Sequence, residues 1–354
     1  VHNNSANSSD LTIRPFLGLT RKDGTDTFWP APPEWWPEFE YHMHTSFAIS
    51  PSETVYLISP SGETLDQLPM LEGLPTGYSI GRAEGTSAGL CIFENETPDA
   101  ANDDGPCVSG ILAAPALTTP SGWYDAPLTV QVAFPNANQT VRYTTNGDVP
   151  TEASPAFPAS GITTNESTVL SVRAYSNDGS ELPSPVKDAT FIVDEFAPIL
   201  PTFSIITDYD NLWDWNTGIY VMGPNASEEY PHFGSNFWEP WSKLSRMQFF
   251  DANGVLQSED KMDLEIHGGW SRAEPQRSFR LDFKNEYSGD FEWPIFSDKP
   301  WLNSFNNINL RNGGQHSWAT KMQDGVIARL ALNTHNMASS WEPSHVYLNG
   351  EYWG

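Results

Sequence analysis

Between Gly268 and Ser278 the chain reads "GGWSRAEPQRS", and two residue types in that run bear on chemistry. Gly268 and Gly269 let the backbone turn successive N–H groups towards one point, which makes an anion nest. Arg272 and Arg277 can flank the same point, and a guanidinium recognises phosphate through a planar fork of donors. The chemistry this combination suits is the holding of a phosphate. A glycine and arginine hairpin with no ligand has the same composition, so that alternative stays open on these residues alone.

Other candidates are fewer. Asp208, Asp210 and Asp214 in "TDYDNLWDW" are carboxylates at short spacing, the kind of ligand a hard cation such as Ca²⁺ takes, but no EF-hand glycine and glutamate follow them, and no metal is assigned. The chain contains no nucleophile elbow, HExxH or complete Walker loop. Cys91 and Cys107 have no metal-ligand spacing around them. They are expected to form a disulfide in an oxidising compartment, free buried thiols being the alternative.

The elements that must position the bend are strands. Met262, Leu264 and Ile266 alternate with Asp263 and Glu265, and Phe279, Leu281 and Phe283 alternate with polar residues, so one amphipathic strand enters the bend and another leaves it. Further on, "LRNGGQHSWATKMQDG" joins a strand to a helix whose expected buried face is Trp318, Met322, Val326 and Leu330, four residues apart each time. Gly325 is unfavourable by about 1 kcal/mol in a helix interior, which implies close packing there.

Upstream, the strands are short and separated by Gly, Pro and Ser. "TVYLIS" and "GETLDQL" flank the turn "SPSG". Leu128, Val130 and Val132, and then Leu170, Val172 and Ala174, alternate with polar residues as half-buried strands do. Asn146-Gly147 marks a tight turn needing positive φ. "DEFAPILP" at 194–201 reads as a proline-bounded linker. Residues 1–38 are irregular, and Trp29, Trp35 and Trp36 there offer flat faces on which a sugar ring could stack, or else pack on the neighbouring sandwich.

Composition limits the partners. The formal charge is −27 over 354 residues, which argues against nucleic acid and anionic membrane surfaces. The basic groups gather late: residues 1–196 hold 7 Lys and Arg against 25 Asp and Glu, whereas residues 197–354 hold 11 against 20. No run approaches the roughly 18 apolar residues of a membrane span, and no secretory leader pattern is present.

Three stretches resemble known families. "HTSFAISPSETVYLISPSGETLDQL" and "LPTGYSIGR", within 39–110, resemble part of a lamin-tail domain. "YTTNGDVPT", within 113–194, resembles the signature of the domain at the C-terminus of chitobiase and β-hexosaminidase, which implies an immunoglobulin-like module acting as a spacer or a sugar binder. "NLWDWNTGIYVMG", "IHGGWSRAEPQRSFRL", "INLRNGGQHSWATKMQDGVIARLAL" and "EPSHVYLNGEYWG", within 198–354, resemble the N-terminal portion of the spore-coat protein H (CotH) kinase family.

That last resemblance implies an atypical, secreted kinase-like fold that binds ATP with Mg²⁺ and phosphorylates protein hydroxyls. Carried over residue by residue, it makes Gly268, Gly269, Ser271, Arg272, Arg277 and Ser278 the ATP-phosphate site. Arg277 stands where the family more usually has lysine, a compact point charge rather than a fork. Arg311 and Asp324 match recurrent polar positions and would support the nucleotide lobe. The family's metal and catalytic aspartates lie further along than Gly354, so the expectation is a fragment that does not phosphorylate by itself. The expected fold is multidomain: two immunoglobulin-like β-sandwiches followed by an incomplete α+β protein-kinase-like lobe, from an extracellular or surface bacterial protein. The competing function is adhesion to a cell-surface glycan, with the lobe as scaffold.

Overall fold

The computed structural model describes residues 14–15, 43–44, 53–71, 73–75, 78–83, 89–94, 102, 107–133, 138–284, 287, 289–332 and 334–354. Trp29, Trp35 and Trp36 lie outside them. Strand far outweighs helix in the described chain, which divides into two units, Val1–Leu112 with Ser176–Pro183, and Ala113–Tyr175 with Ser184–Gly354.

In the first unit, β1 (Thr54–Ile58) and β2 (Thr64–Pro69) form an antiparallel hairpin closed at Ser59–Gly62, where Gly62 N–H donates to Ser59 O. A second hairpin pairs β3 (Ser79–Arg82) with β4 (Leu90–Phe93), and Cys91 on β4 is bonded to Cys107. The expected disulfide is therefore present.

The second unit begins with the module that holds β5 (Gly122–Tyr124), β6 (Leu128–Val130), β7 (Gln139–Thr144), β8 (Ile162–Thr164), β9 (Thr168–Ser176) and β10 (Lys187–Val193). One sheet runs in the order β7-β9-β10-β5, and β8 pairs with β6 beside it. Alternation predicts half-buried strands, yet Ser171 on β9 and Asp188 and Thr190 on β10 are buried too. Both faces are covered, one by the module's own core and the other by the sheet that follows.

That sheet has seven strands. After β11 (Thr202–Ile206) and a short helix α1 (Tyr209–Trp213), long strands β12 (Ser242–Phe250) and β13 (Leu256–His267) lead into the bend. β14 (Ser278–Asp282) leaves it, a small hairpin of β15 (Phe291–Glu292) and β16 (Ser304–Phe305) follows, and β17 (Asn307–Leu310) pairs with β14. Helix α2 (Gln323–Ala331) then crosses back, and β18 (His345–Leu348) pairs parallel to β11 before turning into β19 (Glu351–Tyr352). The strand order is β17-β14-β13-β12-β11-β18-β19. The alternating residues Met262, Leu264, Ile266, Phe279, Leu281 and Phe283 all face the core, as their period demands.

Module and sheet are joined by buried polar contacts. Arg246 Nε on β12 donates to Asp188 Oδ2 at 2.8 Å, Ser171 Oγ donates to Asp188 Oδ1, and Arg246 Nη2 donates to the Gly147 carbonyl. The Gln248 amide spans β10, accepting from Thr190 N–H and donating to Asp188 O. Asp208 Oδ1 accepts from Val149 N–H and Asp148 Oδ1 from Tyr209 N–H, each at 2.7 Å. Gly147 has the positive φ expected of it, +91°, and a Cβ there would come within 2.5 Å of Thr207 O. The turn "NGD" of the module's signature is thus seated against the sheet.

Helix α2 departs from the expected packing. The helix starts later than expected, leaving Trp318 in the turn before it and Met322 at its N-cap; these two, Val326 and Leu330 are exposed (81, 52, 50 and 68%), and the buried residue is Gly325. A Cβ on Gly325 would lie 2.4 Å from the Trp341 ring, so the helix packs through its smallest residue and turns its apolar stripe outward. The period was legible in the sequence, but close approach at the glycine decides which side faces in.

Candidate functional site

The bend starts where β13 ends at His267. Gly268 takes φ +118°, a conformation L side chains rarely adopt, and a Cβ there would sit 2.7 Å from Ser271 Oγ. A single 3₁₀ turn, Trp270–Ala273, follows, and Glu274 becomes extended, as a residue before proline prefers. The N–H groups of Gly269, Trp270 and Ser271 make no backbone hydrogen bond among the described residues.

The two arginines do different things. Arg272 is turned into the protein: its Nε donates to Gly268 O at 2.8 Å and its Nη1 to the carbonyls of Phe237 and Trp238. It holds the bend in shape. Arg277 lies between two aromatic rings, with its Cζ 4.1 Å from the Phe237 centroid and 4.5 Å from that of Tyr220. Its Nε is buried with no hydrogen-bond partner, and its Nη1 reaches only the Pro275 carbonyl, at 3.4 Å. Burial lowers its pKa, and among the described residues no carboxylate forms an ion pair with it. Tyr220 fixes the geometry: its hydroxyl accepts from Arg277 N–H and donates to Pro275 O, each at 2.8 Å. Burial pushes the Tyr220 hydroxyl pKa up, so it stays protonated.

Ser278, where β14 begins, is buried and tied to Asn312. Its hydroxyl donates to Asn312 Oδ1 and accepts from Asn312 N–H, both at 3.0 Å, and Asn312 Nδ2 donates to Gln276 O at 2.7 Å. Gln276 in turn donates to Trp353 O and accepts from Lys321. Arg311 and Asp324 are brought together as an ion pair of 2.6 Å that ties the end of β17 to the first turn of α2.

These residues surround a cleft of about 730 Å³. Gly268, Gly269, Ser271, Arg277 and Ser278 line it, as do Arg311 and Asp324. Arg272 does not. His267 lines it too, and its pKa is lowered by burial and then by the charges of Arg272, Arg280 and Arg311. Arg277 and Lys321 line the cleft together with Glu342 and the Arg311–Asp324 pair, so its charge is mixed.

Residues 264–354 match the CotH kinase protein family. The CotH match begins on β13 and covers the bend, β14, β17, α2 and the β18–β19 hairpin, so every residue expected to touch phosphate falls inside it. Residues 119–187 match the chitobiase/beta-hexosaminidase C-terminal domain. No curated protein matches the chain.

Tyr220, Phe237 and Asn312 were not picked out from the sequence. The two rings are distant from the bend in sequence and carry no local signal, although an arginine without a nearby acid invites a search for aromatic neighbours. Asn312 sits in "RNGG", where a turn explains it equally well. The three aspartates near α1 do not converge: Asp208 accepts from Val149 N–H, and Asp214 Oδ1 accepts from Asn216 and Thr217. Among the described residues no group of three His, Cys, Asp or Glu could hold a metal ion, and no helix is long and apolar enough to cross a membrane.

Proposed function

We propose that the bend between β13 and β14 grips the phosphates of ATP, within a protein-kinase-like lobe that transfers phosphoryl groups to protein hydroxyls. The observation that carries this reading is Arg277: a partly buried guanidinium whose buried Nε has no hydrogen-bond partner, and which has no carboxylate paired to it among the described residues. A desolvated cation without a counter-ion is costly to keep, and an external anion offsets that cost. Phosphate oxygens fit its planar fork. Gly268 and Gly269 leave room for the same anion to approach the backbone, with Ser271 Oγ beside them. Arg272, bonded to three carbonyls, keeps the bend in place. The Arg311–Asp324 pair holds α2 against the end of β17.

Bound ATP would supply the γ-phosphoryl group to be moved. The residues described here would bind it, orient it and neutralise its charge. Mg²⁺ has no ligand cluster among the described residues and would enter with the nucleotide's own oxygens. The Cys91–Cys107 bond supports an oxidising, extracellular setting, in keeping with a secreted or surface-displayed bacterial protein.

The test is calorimetric titration with ATP, tripolyphosphate and adenosine. ATP and tripolyphosphate are expected to bind and adenosine to bind far more weakly. Binding of adenosine alone, or of none of the three, would remove the phosphate assignment. A second reading, adhesion to a surface glycan, draws on the exposed ring of Trp270 with those of Tyr230 and Phe233 on either side of it. Glycan binding lost on Trp270→Ala with ATP binding absent would favour it.

A further inference from the structure

β17 is an end strand of the seven-stranded sheet, with β14 on one side and no strand on the other among the described residues. Phe283 N–H donates to Asn306 O at 2.8 Å, so residues 283 and 306 form a hydrogen-bonded pair. Such pairs alternate with non-bonded ones along an antiparallel ladder. Asp282 and Asn307 are therefore a non-bonded pair, as are Arg280 and Asn309, and the N–H and C=O of Asn307 and Asn309 point away from β14. Both residues line the cleft, and Asn309 is exposed.

Sheet edges in monomers are normally blunted by proline, lysine, a bulge or a covering loop. "NINL" has no proline, no charge and no register shift. The charge along this edge is also graded. Its far end meets the phosphate grip, because Asn312 N–H donates to Ser278 Oγ at 3.0 Å; Arg277 and Lys321 line the cleft there, beside Arg311, which is paired to Asp324. A partner laid along β17 meets main-chain donors and acceptors first and cations at the end.

We propose that the outer edge of β17 takes an extended, phosphoserine-containing peptide as an added strand, with the phosphoserine seated at the Arg277 end of the cleft. This rests on the reading of the bend as a phosphate grip and extends it to the peptide that carries the transferred group. At about 3.4 Å per residue, the stretch from Asn307 to Arg311 accommodates roughly four peptide residues beside the phosphoserine. Main-chain pairing supplies affinity and the phosphate supplies register.

The probe is a synthetic hexapeptide, Val-Thr-Val-Thr-phosphoserine-Gly, with its unphosphorylated form, a form N-methylated at alternate amides, and tripolyphosphate alone. The readouts are binding by fluorescence polarisation and amide hydrogen exchange at Asn307 and Asn309. The phosphopeptide is expected to slow exchange at both amides at least tenfold and to bind at least tenfold more tightly than the unphosphorylated and N-methylated forms. Asn309→Pro, which deletes an outward N–H, is expected to lose the peptide tenfold while retaining tripolyphosphate binding; the N-methylated peptide gives the same test on the unaltered protein. Phosphopeptide binding without protection of Asn307 and Asn309 would overturn the added strand. Tripolyphosphate binding with no peptide binding would overturn it and leave the grip standing. Failure of both ligands would remove the grip and the proposal with it, whereas peptide protection with no ATP binding would separate the edge from kinase function.

Discussion

Replacing Arg277 with methionine separates a structural role from an anion-binding one. The guanidinium contacts two rings, and each cation–π contact is worth about 0.5–2 kcal/mol, or roughly 1–4 kcal/mol for the pair. Against this stands the cost of keeping a charge from water with no counter-ion, which runs to several kcal/mol. The two terms oppose one another at similar size, and methionine fills the slot between Tyr220 and Phe237 with an apolar chain. Stability should therefore change by no more than about 1 kcal/mol in either direction, or about 2–4 °C in Tm for a unit of this size. Anion binding should respond quite differently. A hydrogen bond to a charged group contributes about 1.5–3 kcal/mol, so tripolyphosphate affinity should fall about 10- to 150-fold. Calorimetric titration and thermal melting, run on the same preparations, read both quantities. A variant that loses more than about 3 kcal/mol of stability yet binds tripolyphosphate as the wild type does would show Arg277 to be a structural peg, and the counter-ion argument would fail.

Arg246→Ala strands Asp188 in an interface where both side chains are about a tenth exposed, and should cost about 3–5 kcal/mol by urea unfolding; an unchanged midpoint would mean that module and sheet do not depend on one another. Gly325→Ala should destabilise by about 1–3 kcal/mol through overpacking against Trp341, offset in part by about 1 kcal/mol of helix propensity; a more stable variant would show that the ring yields without cost. His267 has a folded pKa below its ordinary 6.5, so the unfolded chain binds the proton more readily, and the histidine's contribution to stability is present above pH 6.5 and lost as pH falls towards the lowered value. Thermal melts between pH 7.5 and 5 should accordingly show a smaller acid-side loss for His267→Gln than for the wild type, and parallel curves would rule the histidine out as the source.

The strands were legible because a period of two leaves an unambiguous trace: Met262, Leu264 and Ile266, and Phe279, Leu281 and Phe283, are buried as their alternation requires. The bend was legible from its two glycines, but the division of labour between its arginines was not. Arg272 and Arg277 look equivalent in the sequence. Only the carbonyls of Phe237 and Trp238 on one side and the rings of Tyr220 and Phe237 on the other distinguish them, and all of these come from 34 or more residues away. The stripe on α2 was read with the right period and the wrong direction, since periodicity identifies a face without saying what covers it. Ser171 was misread for the related reason that a polar residue on an alternating strand usually marks solvent, whereas here it bonds Asp188, the partner of Arg246.

The joint between module and sheet also bears on the order in which the chain is made. Thr190 and Asp188 leave the ribosome before the residue that covers them, because Gln248 follows Thr190 by 58 positions. At about 5–20 residues per second that is roughly 3–12 s. During that interval β10, buried along nearly its whole length in the finished protein, has one face built and the other waiting. A chain stopped at Val193 would keep that face bare permanently and should self-associate. A chain that continues uses it as the surface on which β12 is laid down.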